Sequence, residues 1–86
     1  MPLYFASHIT ACLTKQGLEE LIKTLLAAQE VKVIRCVGSQ TGGRLLTEVE
    51  AADQRTLEKF FASRHVNCEW IMPIDLRTQD GNVVES

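Results

Sequence analysis

Apolar side chains recur along this chain with two different periods. Over about residues 3–9, 31–37, 44–50 and 68–76 they form short runs rich in β-branched and aromatic residues, as strands do. Two stretches of helical period lie between these runs. In the first, Thr14 stands as N-cap, and Leu18, Leu21, Ile22, Leu25 and Leu26 recur at the spacing of one helix face. In the second, Asp53 is the N-cap, and Leu57, Phe60 and Phe61 lead to Arg64 and His65 at the helix end. The resulting order, β-α-β-β-α-β, predicts an α+β ferredoxin-like sandwich: a four-stranded antiparallel sheet in the order 4-1-3-2 with two helices on one face. Residues 1–76 form this domain. The polar segment 77–86 reads as a C-terminal tail, frayed or docked on a neighbour.

Alternation within the strands sorts the side chains between two faces. The first strand places Leu3, Phe5, Ser7 and Ile9 on one face and Tyr4, Ala6 and His8 on the other. With the first set turned to the helices, the open face carries Tyr4 and His8, joined by Leu46, Glu48 and Glu50 from the third strand and Glu69 and Ile71 from the fourth. Leu45, Val49, Trp70, Met72 and Ile74 are then left for the core. Between strands two and three, Gly38-Ser39-Gln40-Thr41-Gly42-Gly43 has the glycines of a phosphate loop but re-enters a strand at Arg44 and lacks Gly-Lys-Ser/Thr, so it reads as a hairpin.

Composition narrows the classes of function. Eighty-six residues suffice for one domain with a modest core, and 45% hydrophobic with 23% charged residues belongs to folded globular chains. A formal net charge of −2, with no cluster of Lys and Arg, lacks the footprint of nucleic-acid binding. No apolar run approaches the ~18 residues of a membrane span, and Met1-Pro2-Leu3-Tyr4 has no signal-peptide character, so a cytoplasmic protein is expected. Three cysteines without framework spacing fit reduced thiols.

Three constellations bear chemistry. His8, Cys12, His65 and Cys68 come to one end of the predicted topology, and their soft donors match a zinc or nickel site, while the alternative makes Cys36 and Cys68 small core residues and Cys12 an exposed loop cysteine without a role. His8 beside Glu48 or Glu69 on the open face forms an acid/base pair or a ligand with its orienting partner, against the alternative of a solvated polar face. Finally, Tyr4, Leu46 and Ile71 leave that face too apolar to stand bare on so small a domain, which predicts a homodimer with the two open faces enclosing a cavity.

The opening Met1-Pro2-Leu3-Tyr4-x-x-x-His8, with Leu13-Thr14 and the helix through Leu18 and Leu21, resembles small ferredoxin-like proteins of the nickel-responsive, domain-of-unknown-function group. The resemblance implies a dimeric α+β barrel and a nickel-binding role, with His8 as the residue that carries over. The resulting expectation is a homodimeric module binding a small ligand or metal ion through Tyr4, His8, Leu46, Glu48, Glu69 and Ile71. Two alternatives stand beside it: a cofactor-free isomerase or oxygenase using His8 with Glu48 or Glu69, and an interaction protein that takes no ligand.

Overall fold

The computed structural model describes residues 1–86. Its elements are β1 (Leu3–Ile9), α1 (Lys15–Leu26), β2 (Lys32–Ser39), β3 (Arg44–Glu50), α2 (Gln54–Ser63), β4 (Trp70–Pro73), β5 (Leu76–Gln79) and β6 (Asn82–Glu85). The strands and helices form a small α+β arrangement: β1 to β4 make an antiparallel four-stranded sheet, β2-β3-β1-β4, and β5 and β6 a separate two-stranded sheet. No helix is long and apolar enough to cross a membrane.

Both helices begin where their caps dictate. The Thr14 hydroxyl accepts from the Gly17 amide at 3.0 Å, and the Asp53 carboxylate accepts from the Thr56 amide at 2.7 Å. Asp53 is held below the usual carboxylate range chiefly by that backbone bond, reinforced by the Thr56 side chain. Helix α2 ends in a paired-bond C-cap: Val66 N–H donates to Phe61 O at 2.9 Å and His65 N–H to Ala62 O at 3.1 Å. His65 occupies the left-handed position of this motif, at φ 57°, where glycine is the usual residue.

The core forms where Leu25 of α1 and Leu57, Phe60 and Phe61 of α2 meet Tyr4, Ala6, Leu45 and Val49 of the sheet. Tyr4, Ala6 and His8 therefore face the helices, and Phe5, Ser7 and Ile9 share the opposite parity; this reverses the assignment of β1 made from alternation alone. The register carries the reversal across the sheet. His8 stands opposite Leu45, and Ala6 opposite Ile71, so Ile71 packs on the core, whereas Met72 lies opposite Phe5 and Trp70 opposite Ser7 on the open face. On β3 the expected parity holds, with Leu45 and Val49 buried and Leu46, Glu48 and Glu50 on the other side. Both parities of β1 contain apolar residues. The parity with Ala6 wins because that small side chain, fully buried, leaves room for the aromatic pair of α2, and because His8 finds partners for both ring nitrogens.

The loop between β2 and β3 is a hairpin, closed by Ser39 opposite Arg44. Gly43 in it has φ 65°, and a β-carbon there would meet Ala11 Cβ at 2.9 Å. The last ten residues are not a tail. With Leu76 they fold into the β5–β6 hairpin around Asp80 and Gly81, whose φ values of 52° and 79° make the two-residue turn that suits the twist of paired strands. The fourth strand correspondingly stops at Pro73 rather than running to residue 76.

Candidate functional site

Across the open face, paired residues line up in rows. Val37, Leu46, Ser7 and Trp70 form one row, and Arg35, Glu48, Phe5 and Met72 the next. Val37, Trp70 and Met72 remain 53%, 41% and 47% exposed, so the apolar character of this face is not covered by the chain itself. The rings of Phe5 and Trp70 pack at a tilt of 52°, with centroids 6.0 Å apart.

The β5–β6 hairpin extends this face. From Pro73 the chain turns through Ile74, whose amide donates to the Leu3 carbonyl at 2.9 Å, and Asp75, whose carbonyl accepts from the Ser86 amide at 3.1 Å. The hairpin and the sheet thereby bound a groove of about 740 Å³, within the range of small-molecule sites. Phe5, Met72, Pro73, Ile74 and Leu76 form its apolar wall, and Arg35, Glu48, Asp75 and Arg77 its charged positions. Arg35 Nε donates to Glu48 Oε1 at 3.0 Å, which neutralises that pair. Arg77 donates from Nη1 to Gln79 Oε1 at 2.9 Å, and its Nε is buried with no acceptor.

His8 is on the other side of the sheet. Its ring is fully buried, stacked edge-on against Phe61 with centroids 4.6 Å apart. Nδ1–H donates to the Asn67 carbonyl at 2.8 Å, which accepts only, so in the neutral ring Nε2 is the unprotonated nitrogen and accepts a hydrogen bond from the Thr47 hydroxyl at 3.0 Å. Desolvation lowers the His8 pKa from its ordinary value, outweighing the opposing bond to Asn67. The ring is a neutral, fully bonded core group.

These positions separate the residues that the sequence grouped. Leu46, Glu48 and Glu69 remain associated with the open face; Tyr4, His8 and Ile71 do not, because the parity of β1 and β4 is inverted. Glu69 directs its carboxylate to Ser7 Oγ at 2.9 Å and Arg44 Nε at 2.6 Å, and Glu48 is bound to Arg35, so neither stands beside His8. The acid/base pair is thus divided by the sheet. Of the four soft donors, His8, Cys12 and His65 line a second pocket of about 310 Å³ at the end of β1, while Cys68 lines another, with Glu58. No three His, Cys, Asp or Glu side chains gather closely enough to hold a metal ion, and both nitrogens of His8 are already bonded. The donor set does not fit the zinc or nickel site expected of His8, Cys12, His65 and Cys68. Burial pushes the thiols of Cys36 and Cys68 up, with Glu58 adding to the effect at Cys68, which also opposes thiolate ligation.

Two residues that organise this region carry no sequence signal of their own. Asn67 imitates a strand residue: its Oδ1 accepts from Ile9 N at 2.7 Å and its Nδ2 donates to Ile9 O at 2.8 Å, continuing the β1–β4 pairing beyond Glu69. Thr47 completes the bonding of His8. Arg77 was equally hidden, since a polar C-terminal run reads as tail until the Asp80-Gly81 turn is recognised. Comparison with known proteins finds no matching family model, no matching curated protein and no matching solved structure.

Proposed function

We propose that the chain is a ferredoxin-like domain that works as a homodimeric binding module, its two open sheet faces meeting as an α+β barrel and the hairpin-bounded groove holding a small ligand. The observation that carries this reading is the set of uncovered apolar side chains on the open face, Val37, Trp70 and Met72, of which Met72 also lines the groove. Apolar side chains exposed across a sheet face, here on both of its edge strands, are costly to leave hydrated, and a second copy of the same face is a self-complementary cover. Binding rather than acid/base catalysis follows from the groove's contents, because neither histidine lines it and Glu48 is held by Arg35. The three free thiols suit a reducing, cytoplasmic setting.

Amide shift mapping with a panel of small amphipathic molecules tests the ligand half of the proposal. Shifts concentrated on Phe5, Glu48, Met72 and Leu76 are expected. A response confined to the pocket beside Cys12 and His65, or no response to any compound, would overturn the groove as the site.

A further inference from the structure

We propose that the groove selects a small carboxylate with an apolar body, and that Arg77 is the residue that recognises its anionic end. The inference rests on the groove reading above and adds the chemical class of the ligand. It starts from an imbalance among the four charged residues of the groove. Arg35 and Glu48 satisfy one another at 3.0 Å. Asp75 is exposed, so water screens it. Arg77 is half-buried, forms no ion pair, and has one of the two buried side-chain polar atoms in the chain that lack a hydrogen-bond partner. Buried guanidinium N–H groups are ordinarily satisfied, and an unpaired one beside a cavity points to an acceptor that arrives from outside.

The neighbouring groups narrow that acceptor. A guanidinium presents its donors as a planar fork, which a carboxylate matches with two parallel bonds. With Nη1 occupied by Gln79, the Nε and Nη2 edge of Arg77 is the one left for such a pair, and because Nε is buried the pair requires the exposed hairpin to shift. The rest of the wall, Phe5, Met72, Pro73, Ile74 and Leu76, offers aromatic and aliphatic surface for an apolar body. Inorganic anions would gain nothing from that wall, and neutral amphiphiles would leave Arg77 unanswered.

The sole tryptophan, Trp70, packs against Phe5 on the groove wall and supplies a fluorescence readout. Titrating the full-length protein with 3-phenylpropanoate and with its neutral amide compares one apolar body under two head groups. The acid should bind about ten- to a hundredfold more tightly than the amide, the factor a charge-assisted hydrogen bond supplies. In Arg77→Gln that preference should fall to near unity, chiefly through weaker binding of the acid. Amide shifts of the β5–β6 hairpin verify that this variant remains folded, and Arg77→Lys should retain an intermediate preference. Equal binding of acid and amide to the wild type would overturn carboxylate recognition and leave the groove intact. Binding of neither would overturn the groove reading as well.

Discussion

His8 shows how one buried side chain decides both packing and pH response. In the folded chain its pKa is lowered by desolvation, so the unfolded chain binds more protons near the ordinary value of 6.5. Stability contributed by the neutral ring is therefore fully present above about 6.5 and declines as pH falls from there toward the folded value. Urea unfolding at pH 7.5 and 5.5 should show wild type losing stability at the lower pH, with a flatter response in His8→Ala. Asp53 and Glu30, whose pKa values are lowered by hydrogen bonding, act in a more acidic window and do not obscure this one. His8→Ala should itself cost about 3 kcal/mol, from the cavity beside Phe61 and the unpaired Thr47 hydroxyl. A cost below about 0.5 kcal/mol would contradict the buried, doubly bonded ring. His65 makes the opposite case. Its left-handed backbone in the α2 cap predicts that His65→Gly raises stability by about 0.5–1 kcal/mol, measured as a shift of the urea midpoint.

At the level of elements, the caps and periods in the sequence locate the helices well, because Thr14 and Asp53 signal their starts by local chemistry that no distant contact alters. The β2–β3 hairpin is legible for the same reason. The facing of β1 is not: Leu3, Phe5 and Ile9 outbid Tyr4, Ala6 and His8 in hydrophobicity, and only the register against Leu45 and Ile71 shows which set is inside. One misjudged parity moves a whole candidate site, since strand side chains alternate with period two. The C-terminal hairpin was obscured by composition. Its turn glycine is a direct test: Gly81→Ala introduces a β-carbon that meets nothing within 4 Å, so the entire penalty comes from the left-handed backbone. A loss of about 1 kcal/mol should speed amide exchange in β5 and β6 roughly fivefold while β1 and β3 stay protected. Equal acceleration throughout the chain would mean that the hairpin is an integral part of the main cooperative unit.

The molecule as a whole is thinly cored. Only 16 of 86 residues are buried, and large apolar side chains stand on both the open sheet face and the hairpin, where Leu76 and Val83 are 63% and 70% exposed. So small a domain has little stability in reserve, and covering that surface by association is the direct remedy. The most decisive measurement is the solution mass by size-exclusion chromatography with light scattering, on wild type and on Met72→Lys, across a micromolar dilution series. Wild type should run at twice the 9.6 kDa chain mass, and a lysine among the exposed apolar side chains of the open face should shift it to a folded monomer. Wild-type protein of 9.6 kDa at every concentration, or a dimer indifferent to Met72→Lys, would contradict pairing through the open sheet face.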